Sequence, residues 1–96
     1  MASRKGPVIK QVRFTRPAEK DRADLPPANL ASFKELLLEM KTGQYSTGRD
    51  LKQRQGTGKN KPKVWQARIG QGYRVTFIFK DGIATFQRIG PHHVFD

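Results

Sequence analysis

A chain of 96 residues is too short for two separate hydrophobic cores, so residues 1–96 are taken as a single domain. It contains no cysteine, which excludes a disulfide framework and a thiolate metal site. With 19 Lys and Arg against 8 Asp and Glu the net charge is +11, a field that favours polyanions: nucleic acid first, an acidic protein second.

The chain opens on the charged segment Met1–Ala2–Ser3–Arg4–Lys5, and no hydrophobic stretch follows it as a secretory signal requires. Val8 to Phe14 has strand alternation, with Val8, Lys10, Val12 and Phe14 on one side. Its basic content places it at or near a sheet edge. Thr15 to Asp24 predicts a short polar helix, capped by Thr15 with Pro17 in its first turn. Pro26–Pro27 interrupts the chain before a stronger helix over Ala28 to Lys41. There Leu30, Phe33, Leu37 and Met40 form an apolar stripe that Leu36 widens. Asn29 is placed to cap its start and Gly43 to end it, and the stripe is expected to pack on a sheet. The longest apolar run, Leu36–Leu38, is far too short to span a membrane. A soluble, cytoplasmic protein is the expectation.

Gly43 to Lys63 lacks periodicity and predicts a long loop. Within it, residues 46–63 hold six basic groups against Asp50, and Lys59, Lys61 and Lys63 are candidate RNA-binding residues. Residues 1–16 hold five more cations and no acid, so two basic segments flank a nearly neutral middle. Gly56–Thr57–Gly58–Lys59 does not make a phosphate-binding P-loop, because Gln53 and Asn60 stand where that motif needs Gly and Ser or Thr. From Val64 the pattern is β: Val64–Ile69, Tyr73–Phe79 and Ile83–Ile89. The connectors Gly70–Gln71–Gly72 and Lys80–Asp81–Gly82 each suit a three-residue hairpin loop ending in a left-handed glycine. The predicted class is α+β, an N-terminal strand and one or two helices packed on an antiparallel sheet of about four strands.

Register decides which side chains meet. Three-residue loops pair Ile69 with Tyr73 and Phe79 with Ile83, which sets Arg68 opposite Arg74 and Arg74 opposite Arg88. The three arginines then lie in a row beside Gln66, Thr76 and Phe86. The other face carries Trp65, Ala67, Ile69, Tyr73, Val75, Phe77, Phe79 and Ile83 for the helix stripe. Like charges across strands repel, and a bound phosphate, matched by guanidinium forks, is the simplest reason to keep them together. A two-residue Asp81–Gly82 turn is the alternative; it pairs Val75 with Arg88 and sends Arg88 to the helix side.

The last segment, Gly90 to Asp96, holds both histidines, His92 and His93. Without Cys or a third His they make a poor metal site, and no metal or other cofactor is expected. Beside an arginine row an imidazole has a better use: RNA cleavage needs a 2′-hydroxyl deprotonated and a 5′-oxygen protonated near neutral pH.

The stretch Val64–Trp65–Gln66–Ala67–Arg68–Ile69–Gly70–Gln71–Gly72–Tyr73–Arg74–Val75, followed by Arg88–Ile89–Gly90–Pro91–His92–His93–Val94–Phe95, resembles the core of the RelE/ParE toxin superfamily. The resemblance covers roughly the C-terminal third. It implies two N-terminal helices on an antiparallel sheet and a toxin inhibited by a cognate acidic antitoxin. In the RelE-like branch it implies metal-independent endonucleolytic cleavage of mRNA on the ribosome. It gives Arg74 the scissile phosphate, Arg88 the transition-state charge, His92 the proton, and Phe95 a base to stack upon. Arg68 supports the two arginines.

Some relatives place lysines on the second strand as bases, whereas this chain has Val64, Gln66 and Ala67 there. The resemblance thus leaves the proton to His92 or His93, with Lys63 a further candidate. A ParE-like toxin acting on gyrase, or a non-catalytic RNA-binding module, is the alternative on the same scaffold.

Overall fold

The computed structural model of the chain describes residues 3–54 and 64–91. Among them the order is β1 (Ser3–Lys5), β2 (Gln11–Phe14), α1 (Arg16–Ala23), α2 (Pro27–Thr42), β3 (Gln44–Ser46), a 3-10 turn (Thr47–Arg49), β4 (Lys52–Arg54), β5 (Val64–Gly70), β6 (Tyr73–Lys80) and β7 (Ile83–Pro91). One sheet runs β2-β7-β6-β5-β4, and β1 pairs with β3 alone. The α+β expectation holds, with five strands in the main sheet rather than four. It is mostly antiparallel; β2 joins β7 in parallel, at the edge its charge foretold.

The predicted first strand is shortened because its backbone donors are used elsewhere. The Gly6 N–H donates to the Gly43 carbonyl at 3.0 Å and the Ile9 N–H to the Met40 carbonyl at 3.0 Å, satisfying the end of α2. Ile9 is buried as a result, and Val8 faces outward. The Thr15 cap is as expected: its hydroxyl oxygen accepts from the Ala18 N–H at 3.2 Å and the hydroxyl donates to the Gln87 carbonyl at 3.0 Å. Asn29 is not a cap. It lies inside α2, which starts at Pro27, and its amide donates to the Ile69 carbonyl at 3.3 Å.

Residues 43–54 are not a loop throughout. β3, the 3-10 turn and β4 occupy them, and Tyr45, Arg49 and Leu51 are buried. Their anchors fall at irregular spacing, so no period of 2 or 3.6 marks them.

Both helices contribute to a core on one side of the sheet. Phe33 and Met40 of α2 are buried with Ala67, Ile69, Val75, Phe77, Ala84, Phe86 and Ile89 of the strands. Phe33 meets Phe86 edge-on at 5.2 Å between ring centroids, and Phe86 stacks on Phe14 at 5.4 Å. Such pairs add about 0.5–1.5 kcal/mol each beyond their burial. This aromatic cluster fixes which sheet face is left to the other side chains.

Register departs from expectation at both hairpins. Arg68 does oppose Arg74, but Gly70 rather than Ile69 opposes Tyr73, with a shift between Arg68 and Gly70. Gly70 has φ +141°, and a Cβ there would come within 2.5 Å of the Asn29 amide nitrogen that ties down this irregularity. In the second hairpin Lys80 opposes Ile83, so the turn is the two residues Asp81 and Gly82. Their φ values of 53° and 79° are the positive pair that a tight hairpin of type I′ uses. Ile83 therefore leaves the helix face, and Phe86 opposes Phe77 in the core rather than Thr76. A further shift then places Gln87 as an extra residue, so that Arg88 opposes Thr76 and Gly90 opposes Arg74. The predicted Arg74–Arg88 pairing is wrong, yet Arg88 remains on the arginine face.

Candidate phosphate-binding face

Strand alternation divides the sheet sharply. The helix side is apolar. The opposite side has Lys52 on β4, Arg68 on β5, Arg74 and Lys80 on β6, Arg88 on β7 and Arg13 on β2 at its register positions. Arg68 lies straight across from Arg74, while Arg88 lies one diagonal step away, across from Thr76. Gln66 and Thr76 face each other between them and are buried. The row predicted from sequence is therefore a triangle.

The three cations differ in their company. Arg68 is half exposed, and its Nη2 lies 3.8 Å from Asp50, itself 3.2 Å from the Lys52 ammonium. No carboxylate among the described residues comes within ion-pair distance of Arg74. Arg88 is held by Asp21 of α1: its Nε donates to Oδ2 at 2.8 Å and its Nη2 to Oδ1 at 3.3 Å. These contacts use two of the five N–H donors of a guanidinium, so the fork is oriented without being consumed. Asp21 stood unremarked in the sequence because its partner lies 67 residues away.

Asp21 has a second duty. β2 pairs with β7 only as far as Phe86, and beyond it the β7 edge needs other acceptors. Asp21 Oδ2 accepts the Ile89 N–H at 2.9 Å. Burial pushes the Asp21 carboxyl up, but the Arg88 hydrogen bond, the Ile89 amide and the charges of Arg88 and Lys20 together bring it below its ordinary 3.8. The same pair raises Arg88 above its usual value, chiefly through the Asp21 hydrogen bond. A lowered carboxylate stabilises the fold fully above pH 3.8 and loses that contribution as pH falls through its lower folded value. Asp21→Asn is expected to cost about 1 kcal/mol at pH 7 and to flatten the acid limb, read as urea midpoints between pH 2 and pH 7.

Tyr73, Asp21, Asp24, Leu25, Ile89, Gly90 and Pro91 line a cleft of about 180 Å³ at the end of β7, beside the Asp21–Arg88 pair. Pro91 opposes Tyr73 and precedes His92 in the chain. His92, His93 and Phe95 lie outside the described residues, as do Lys59, Lys61, Lys63 and the Gly56–Lys59 stretch. Of the candidate site residues, then, the structure brings together Arg68, Arg74 and Arg88.

Arg49 is a residue that the sequence did not mark. Buried against α2, it lies 2.9 Å from Glu39, donates to Ser32 Oγ at 2.8 Å and to the Arg68 carbonyl at 3.3 Å. It fastens the strand that carries Arg68 to the helix layer. No helix among the described residues is long and apolar enough to cross a membrane.

No protein-family model matches the chain, and no curated protein does. Solved structures do match. A chain of the archaeal RelE–RelB complex from Pyrococcus horikoshii is 24% identical, with a TM-score of 0.62 over 84% of this chain and 92% of its own. A chain of the E. coli DinJ–YafQ toxin–antitoxin complex is 16% identical, with a TM-score of 0.66 over 86% and 92%. The YoeB dimer from Staphylococcus aureus supplies a chain that is 12% identical, with a TM-score of 0.65 over 91% and 99%. Likeness over this much of each chain establishes a common fold.

Proposed function

We propose that this chain, which has the RelE-like fold, is the toxin of a toxin–antitoxin pair and cleaves mRNA, on the ribosome, by metal-independent acid–base catalysis. The observation that carries this is that register sets Arg68, Arg74 and Arg88 at neighbouring positions on one face of the sheet, with the Arg88 fork oriented by Asp21. Arg74 and Arg88 hold the scissile phosphate and stabilise the charge that builds on it. A histidine, His92 or His93, takes the proton of the attacking 2′-hydroxyl or returns one to the leaving 5′-oxygen. The 2′-oxygen–phosphorus bond forms as the phosphorus–5′-oxygen bond breaks, which leaves a cyclic phosphate and a 5′-hydroxyl. Phe95 stacks a base, and Lys59, Lys61 and Lys63 add phosphate contacts. Asp21 holds the Arg88 fork in place. An acidic antitoxin suits a chain of net charge +11.

Induced expression followed by mapping of RNA 5′ ends tests the activity. New 5′-hydroxyl ends at fixed positions within codons are expected, and they disappear in His92→Ala,His93→Ala. Growth arrest with intact RNA would instead mean a non-nuclease toxin, of which a gyrase-directed one is the first to test.

A further inference from the structure

The cations at the far end of the arginine face have no part in the chemistry above. A depression of about 340 Å³ lies there, lined by Arg13, Ile78, Lys80, Asp81, Ile83 and Thr85. Register builds it from three strands: Arg13 opposes Thr85, Thr85 opposes Ile78, and Lys80 opposes Ile83. Ile78, Ile83 and Thr85 are partly buried and form the floor, while Arg13 and Lys80 are exposed at the rim. The Asp81–Gly82 turn closes one end. A Cβ on Gly82 would meet the Lys10 side chain at 3.3 Å, so a third cation borders the turn against the single carboxylate of Asp81.

An apolar floor under a cationic rim suits a base with its phosphate better than it suits a free anion, which gains nothing from isoleucine. It also lies on the same face and strand as Arg74. Lys80 lies six residues along β6 from Arg74, roughly 20 Å at the rise of a strand. That span corresponds to about six stacked nucleotides, and fewer if the RNA is extended.

We infer that this depression is a second nucleotide subsite, which holds a base and phosphate of the same single-stranded RNA several nucleotides from the bond cut at Arg74. The inference rests on the RNA-cleaving function proposed above. It makes the outer sheet face a track rather than a single phosphate site.

The test uses the full chain and fluorescent 2′-O-methyl oligonucleotides of three and twelve nucleotides, which bind without being cut, followed by anisotropy over a range of salt. Arg13→Ala,Lys80→Ala is expected to weaken the twelve-mer about tenfold or more, to lower its salt slope by about 1.5, and to leave the three-mer unchanged. Lys34→Ala,Lys41→Ala removes two exposed cations from α2 and controls for bulk charge. Its effect on the twelve-mer should be several-fold smaller. Equal loss in the two double variants, or none in the first, overturns the subsite while leaving the RNA-cleaving function standing. If the unaltered chain binds neither oligonucleotide, the subsite is overturned as well, and the mapping of RNA 5′ ends decides the cleaving function by itself. Preferential binding of an acidic peptide to the depression, with twelve-mer affinity intact, overturns the subsite in favour of a protein contact.

Discussion

Arg74→Ala is expected to lower RNA cleavage by about 10²–10³-fold while moving the unfolding midpoint little, because the role proposed for it is transition-state charge rather than packing. Among the described residues no carboxylate pairs with it. Removing it also relieves the repulsion from Arg68 directly opposite, so the fold should not suffer. Arg88→Ala is a less clean experiment. It leaves the largely buried Asp21 carboxylate with one partner fewer, so activity and stability should fall together. Arg74→Lys keeps the charge but not the two-pronged fork, and recovery of only part of the lost rate would identify the geometry as the missing part. Single-turnover cleavage of a defined mRNA, beside urea midpoints for each variant, separates these effects. Unchanged cleavage by Arg74→Ala would remove the arginine face from the mechanism.

That face could be found in the sequence, though partly by a cancellation. Arg68 and Arg74 meet as expected, although Gly70 rather than Ile69 opposes Tyr73, because the irregularity between Arg68 and Gly70 restores the pairing. For Arg88 the expectation assumed three loop residues, whereas Asp81–Gly82 turns alone with both φ positive. This step alone would have carried Arg88 to the helix side. The extra residue Gln87 carries it back, two positions along β6 from the place expected. A bulge of this kind follows from the sheet edge, where Thr15 and Asp21 take over from β2, and such contacts span 67 residues or more. No local pattern encodes them. The stripe on α2 was legible because its period is regular; Tyr45 and Leu51 were not, since each anchors a short segment alone. Asn29 shows the same limit, looking like a cap by type and position while bonding to a distant strand.

Arg49 tests the tie between the helix layer and the strand that bears Arg68. Its side chain is 7% exposed, and its donors serve Glu39, Ser32 and the Arg68 carbonyl together. Glu39 in turn accepts the Ser46 N–H at 2.7 Å, so one carboxylate joins α2, β3 and the 3-10 turn. Arg49→Ala removes the partner of a carboxylate that is only 21% exposed and leaves a cavity beside α2. A loss of about 3 kcal/mol is expected, the lower end for breaking a buried pair. In a domain of this size that lowers Tm by roughly 12–24 °C. Replacing both charged partners should be milder than removing one. Arg49→Met,Glu39→Gln keeps the volume and leaves no uncompensated charge, and it should recover most of the loss. If the double variant is no more stable than Arg49→Ala, the network acts through something other than charge compensation. Because Arg49 reaches the sheet through the Arg68 carbonyl, its loss should also loosen the β5 end of the arginine face. Amide exchange at Arg68 and Ile69 is expected to rise in Arg49→Ala more than exchange at Val75 and Phe77, which the aromatic core holds directly.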